Sequence, residues 1–294
     1  MEIGTMTSLL YSSRGTTKKT GIMEAMTRLY RVGFVHQDMH LCGLIHLDHE
    51  CSFSKDNWRD EVWELKKEAK RLGVHFHQAH LPYYYVGRVY RQENREFNEL
   101  FDRMLRRGIE ICGMLEIPCA VVHLFNSEVE ETEEHIKENL IRYGEYVELA
   151  AQRGIRIAIE NMYSPERFGS GVEDLAAMMD AFGEDKVGIC WDFGHAQLRY
   201  GAEQADAIKK LKGRICAVHI HDNFGETDQH LPPFMGTIAW EKVMPALREA
   251  EFDGYLNYET SANRRVPEAL RDEMARYCFR AGEHLIRMYE GKSE

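Results

Sequence analysis

The feature that most restricts this chain is an alternation. Eight short apolar runs are separated by longer stretches of helical periodicity, and no low-complexity linker interrupts the series. The runs are Ile3–Leu10, Gly33–Leu41, Gly73–His80, Cys119–Phe125, Ile155–Met162, Val187–Phe193, Ile215–His221 and Tyr255–Thr260. Helices are expected over Asp60–Leu72, Arg95–Leu115, His135–Arg153, Val172–Phe182, Ala202–Leu211, Trp240–Ala250 and Pro267–Tyr289. Gly73, Gly154 and Gly254 stand between a helical stretch and a strand, where left-handed caps are expected. Strands that alternate with helices pair in parallel through right-handed crossovers. The expected fold class is therefore α/β, a single-domain (β/α)8 TIM barrel over residues 1–294, a length such barrels reach as one unit. An open doubly wound sheet is the rival. It loses its nucleotide-binding version because no GxGxxG or P-loop follows the first run.

Strands of a parallel barrel are buried on both faces, so a charged residue inside one needs a physical reason. With side chains alternating at period two, Arg156, Ala158 and Glu160 share a face, as do Gly188, Cys190 and Asp192. Ala217, His219 and His221 share another, and Tyr255, Asn257 and Glu259 a fourth. Glu160, Asp192, His219 and Glu259 thus reach the C-terminal ends of four successive strands, the rim where barrel active sites lie. A single carboxylate at a strand end is often a helix cap or loop anchor. Four donors in succession at one depth are not explained that way, since crowded carboxylates repel and raise one another's pKa. A divalent cation removes that cost. Two Glu, one Asp and one His form a hard, oxygen-rich set that suits manganese above all, with magnesium, cobalt or zinc as alternatives.

The formal net charge of −11 argues against a nucleic-acid partner, whose binding needs a basic patch. Arg88–Arg107 is locally basic, but its spacing reads as an amphipathic helix with a solvated charged face. Seven cysteines, an odd number with no CxxC, and no signal-peptide or membrane-spanning run lead to the expectation of a reduced, cytoplasmic protein. In the second run His36, Asp38 and His40 alternate onto one face, either shaping a pocket or lying in a loop. Arg199, Arg264 and Arg265 lie near strand ends and read as surface residues or as holders of an anion. The C-terminal helix either closes the barrel or mediates a homo-oligomer.

Five segments carry a family resemblance: IENM (159–162), WDFGHA (191–196), HIHDN (219–223), DQHLPPFMGTIAW (228–240) and YET (258–260). In this order and spacing they resemble the xylose-isomerase-like TIM-barrel superfamily. That group holds sugar and sugar-phosphate isomerases and epimerases, ketose 3-epimerases, inosose dehydratases and endonuclease IV-type DNA-repair enzymes. The resemblance runs from about residue 70 to the C-terminus and points to the ketose 3-epimerase-like branch. It implies Glu160, Asp192, His219 and Glu259 as metal ligands, and Glu160 and Glu259 as the groups that move protons. The expected activity is metal-dependent isomerisation or epimerisation of a sugar or sugar phosphate through an enediolate. A small carbohydrate is the expected partner. His195 matches a substrate-contacting position, and His221, His123, His80 and Trp191 are the further expected substrate contacts, with Phe193 and Phe125 as apolar walls. His221 reads equally as a satisfied buried histidine. The alternatives are a dehydratase or lyase on the same metal site, or the endonuclease IV type, which uses more metal ligands. For that type His80, His123, His195, Asp228 and His230 stand at matching places. Two departures are visible: FVHQDMHL replaces a glutamate-containing second strand, and Phe234 and Met235 precede Gly236 where a glycine commonly follows HLPP.

Overall fold

A computed structural model of the chain describes residues 1–11, 20–45, 53–84, 92–126, 131–260 and 266–292. Eight parallel strands form a nearly closed barrel: β1 (Glu2–Met6), β2 (His36–His40), β3 (His75–His80), β4 (Cys119–His123), β5 (Arg156–Glu160), β6 (Val187–Asp192), β7 (Ile215–His219) and β8 (Tyr255–Tyr258). Consecutive strands pair from β1 to β7, and β1 also pairs with β8. The remaining edge closes more sparsely. Ile220 forms a parallel bridge to Tyr258, with Ile220 N donating to Asn257 O at 2.7 Å and Glu259 N to Ile220 O at 3.1 Å.

Around the sheet lie α1 (Ile22–Val32), α2 (Trp58–Leu72), α3 (Arg95–Leu115), α4 (Thr132–Ala151), α5 (Val172–Phe182), α6 (Phe193–Tyr200), α7 (Gln204–Lys210), α8 (Trp240–Glu249) and α9 (Arg271–Glu290). Their apolar stripes face inward; on α2 Trp58, Val62, Leu65 and Ala69 are buried, each one turn from the next. The main core is this layer between sheet and helices. A second, smaller cluster of Val121, Ala158, Cys190 and Ala217 fills the lumen. Small side chains are required there: a Cβ on Gly188 would lie 2.4 Å from Cys216 Sγ. None of the six described cysteines is in a disulfide, and no described helix is long and apolar enough to cross a membrane.

The structure corrects several boundaries. The first strand stops at Met6, and Thr7–Leu9 form a 3-10 turn. The sequence gives no expectation of α6, which begins directly at the end of β6 with the Asp192 carboxylate capping it, Oδ1 accepting from His195 N at 2.6 Å. Gly73 and Gly154 do adopt positive φ, but before β8 the left-handed position falls on Glu251 (φ 62) rather than Gly254. Within Arg88–Arg107, the helix occupies 95 onward; residues 88–91, like Arg264 and Arg265, lie outside the described residues. His36, Asp38 and His40 are strand residues, not a loop.

Candidate metal and active site

Five consecutive strands, β3 to β7, end in a donor, Glu259 directly follows β8, and the sheet brings these donors together at one rim. Glu160 is fully buried at the end of β5. Its Oε1 lies 2.9 Å from His219 Nδ1, and its Oε2 lies 2.8 Å from His123 Nε2 and 3.1 Å from His80 Nε2. His219 Nδ1 is also 2.8 Å from Glu259 Oε2 and 3.8 Å from Asp192 Oδ2. Ligand atoms of Glu160, Asp192, His219 and Glu259 all lie within 4.8 Å of one another, so the four residues expected to share an ion can do so.

Two further sets adjoin this one. His80, Glu160 and His219 form the first, and His195, His221, Asp228 and His230 the second. Asp228 Oδ2 lies 2.9 Å from His230 Nε2 and 3.3 Å from His195 Nε2. His221 stacks on His230, with ring centroids 4.1 Å apart, and its Nε2 lies 2.8 Å from Asp192 Oδ2. His221 therefore joins the two ends of the rim.

The imidazoles are oriented from behind. His80 Nδ1 lies 2.9 Å from Leu81 O, His195 Nδ1 2.8 Å from Asn161 O, and His230 Nδ1 2.7 Å from Glu259 O. A carbonyl only accepts, so each Nδ1 is the donor, and each Nε2 turns toward the carboxylates. Backbone-anchored imidazoles facing hard oxygens are the arrangement of metal-ligating histidines. Buried polar atoms also remain without hydrogen-bond partners at the rim, among them His221 Nδ1 and Asp228 Oδ1. The residues present thus fit a divalent cation.

Charge is concentrated accordingly. Burial alone would raise the Glu160 carboxyl, but His219 and His123 outweigh it and hold it well below the usual range. Glu259 behaves likewise, with burial opposed chiefly by His219. Burial would depress His195, yet Asp192, Asp228 and Glu160 push it up to about 10. His230, buried beside Asp228, is pushed up to about 9.

Two residues not singled out in the sequence hold the rim in shape. Asn161 clips β5 to β6: its Nδ2 donates to Asp192 O at 3.0 Å, and Asp192 N donates to its Oδ1 at 2.7 Å. Asp222 organises the loop that carries Asp228 and His230. It accepts from Asn223 N and Ile238 N on Oδ1, and from Phe234 N and Trp240 Nε1 on Oδ2, at 2.9–3.2 Å. Gly236 is needed beside it, because a Cβ there would lie 2.2 Å from Asp222 Oδ1. The loop also places His230 at φ 49, an uncommon value for a non-glycine residue. Asp38, which the sequence reading grouped with His36 and His40, is buried inside the barrel. For Asn161 and Asp222 the available signal was type and position, since Asn and Asp just past a strand end readily bond backbone groups.

Of the expected substrate contacts, His80, His123, His195 and His221 gather at the rim, whereas Trp191 does not. Its neighbours Cys190 and Asp192 point inward, so period two sends Trp191 to the helix side, fully buried and stacked on Tyr200 at 6.1 Å. Phe193 packs on Trp240, and Phe125 on Phe101 and Tyr143. These three rings belong to the outer core and give no wall to the rim.

A nearly closed parallel barrel that gathers His, Asp and Glu side chains at neighbouring strand ends could hold a metal ion there. The chain belongs to the xylose isomerase-like TIM barrel family, whose model matches residues 43–280. An uncharacterised protein of Sinorhizobium fredii is 30% identical over 170 residues, covering 55% of this chain and 53% of that one. An uncharacterised protein of Methanocaldococcus jannaschii is 29% identical over 190 residues, covering 61% and 62%. The matches thus span little more than half the length of these relatives. Among solved structures, a D-tagatose 3-epimerase-like protein is similar with a TM-score of 0.70 at 21% identity, over 97% of this chain and 100% of that one. A D-psicose 3-epimerase has a TM-score of 0.73 at 15% identity, over 97% and 99%. A 3-keto-D-glucoside 4-epimerase from E. coli has 0.71 at 17%, also over 97% and 99%. These likenesses establish the shared fold.

Proposed function

We propose that the protein is a divalent-metal-dependent isomerase or epimerase of a sugar or sugar phosphate. The observation that carries this reading is the convergence of Glu160 and Glu259 on His219 Nδ1, at 2.9 and 2.8 Å, beside Asp192. The epimerases among the structural neighbours support it. Glu160, Asp192, His219 and Glu259 would hold the ion, with manganese the preferred metal for this hard donor set. When bound, the ion supplies Lewis-acid stabilisation to the oxyanion of an enediolate. The two glutamates carry the protons. Both are held in the ionised form that a base requires. Coming from β5 and β8, they approach the sugar carbon from different sides. One takes the proton next to the carbonyl, and the other delivers one to the opposite face, so that the carbon is inverted with no net change in atoms. His195, His123, His80 and His221 surround the same space and hydrogen-bond the sugar hydroxyls. Glu160→Gln and Glu259→Gln should each abolish turnover of a ketose substrate while leaving the unfolding midpoint close to wild type. Retained activity in either variant removes the two-carboxylate scheme.

A second reading has its own observation. The adjoining set His195, His221, Asp228 and His230, and the set His80, Glu160 and His219, give room for more than one ion. That arrangement suits a phosphodiesterase of the endonuclease IV type. Metal analysis of the purified protein separates the two: one ion per chain supports sugar chemistry, while about three, with cleavage of an abasic duplex, supports phosphodiester chemistry.

A further inference from the structure

His219 differs from the anchored rim histidines His80, His195 and His230. It presents Nδ1, not Nε2, to the carboxylates, and no backbone carbonyl anchors its other nitrogen. Nε2 is buried without a hydrogen-bond partner. A ligating imidazole must carry its proton on the nitrogen away from the ion, and that N–H nearly always meets a carboxylate or carbonyl. Asp38, on the inner side of the barrel, offers the nearest carboxylate, with Oδ2 4.0 Å from Nε2. That is about 1 Å beyond a hydrogen bond.

Asp38 is itself held in place. Gln78 Nε2 donates to Oδ2 at 2.7 Å, and Asn257 Nδ2 donates to the same oxygen at 2.8 Å. An irregularity in the β2–β3 ladder makes the first contact: the register passes from Gln37 opposite Phe76 to Asp38 opposite Gln78, skipping His77. Such bulges re-aim side chains beside functional sites. Asp38 Oδ1 has no partner, and the residue is fully buried. An unpartnered carboxylate oxygen and an unpartnered imidazole nitrogen thus sit on two neighbouring buried side chains, each costly alone. Burial pushes the Asp38 carboxyl up, with His219 first among the groups that oppose it. Its oxygen accepts a hydrogen bond in either protonation state.

We infer that Asp38 is a positioning residue for the metal site: it holds the proton of His219 on Nε2 and so keeps Nδ1 free as a ligand. This rests on the metal reading above and adds to it a residue from the second strand. Asp38 itself touches neither ion nor substrate.

The test uses the full chain stripped with a chelator. Calorimetric titration with Mn2+ compares wild type with Asp38→Asn, and histidine-directed 1H–15N spectra of the Zn2+-loaded proteins report the tautomer of His219. Asp38→Asn should bind Mn2+ about 10- to 100-fold more weakly and lose an exchange-protected Nε2–H signal that the wild type shows. If Asp38 only braces the barrel, the variant will unfold earlier without metal but keep both affinity and signal, which overturns the inference and leaves the metal reading intact. A wild type that takes up no ion removes both. Should Asp38→Asn fail to fold, Asn257→Ala decides: it deletes one of the two donors that hold Asp38, several-fold weaker binding is expected, and unchanged affinity overturns the inference.

Discussion

His77 provides a test of the barrel floor that is independent of any ion. The residue is 5% exposed, and neither ring nitrogen makes a well-aligned hydrogen bond. It lies against Tyr255 at 4.3 Å and His36 at 6.5 Å, and over Gly4, where a Cβ would come within 2.4 Å of its Cε1. His36 in turn stacks on His75 and lies 3.8 Å from the Glu2 carboxylate. Burial first, and then the neighbouring His36, lower the His77 pKa to about 3, against the Asn257 side chain, which raises it. A histidine depressed in the folded state keeps its full contribution to stability above the unfolded value of 6.5 and loses it as pH falls toward 3, because the unfolded chain binds the proton first. At 1.36 kcal/mol per unit, the loss is about 2 kcal/mol by about pH 5 and approaches about 5 kcal/mol at the lower end. His77→Leu removes the titration while keeping an apolar filler over Gly4. Urea unfolding of both proteins between about pH 8 and pH 5 should show the wild type losing about 2 kcal/mol more than the variant. Parallel pH profiles would show that His77 is solvated or paired, and the reasoning would fail.

Two other substitutions probe the rim. Asp222→Asn replaces an acceptor of four donors with a group that presents an amide to some of them, and should cost roughly 2–3 kcal/mol in urea unfolding; an unchanged midpoint would mean that the Asp228/His230 loop is held by other contacts. Trp191→Phe should destabilise by about 1–2 kcal/mol yet leave Mn2+ affinity and sugar KM unchanged, and a raised KM would return Trp191 to the substrate pocket.

The sequence was informative where burial constrains both faces of a strand. Ala158, Cys190 and Ala217 could be assigned to the lumen, and Glu160, Asp192 and His219 to the rim, because a period of two leaves one choice once the C-terminal end is known. It misled where nearness in sequence was read in place of that period. Trp191 sits next to a rim ligand in sequence but a full sheet thickness away in direction, an error of proximity and not of pattern. Leu9 and Leu10 are apolar and buried, yet belong to a turn, since composition alone does not separate a short strand from a packed 3-10 segment. The placement of Asp38 was hidden for another reason. Its partners Gln78 and Asn257 lie 40 and 219 residues away in the chain, and the ladder irregularity that sets the first of them is a property of the assembled sheet.

The sparse joint between β7 and β8 coincides with the chemistry. Its two edges carry His219 and Glu259, and among the described residues a pair of main-chain hydrogen bonds around Ile220 crosses there. An ion gripped from both sides would act as a rivet through the last stave of a cask. Loading the cation and sealing the wall would then be one event, and chelation would be felt first as faster amide exchange at Ile220 and Glu259, long before the other seven joints slacken.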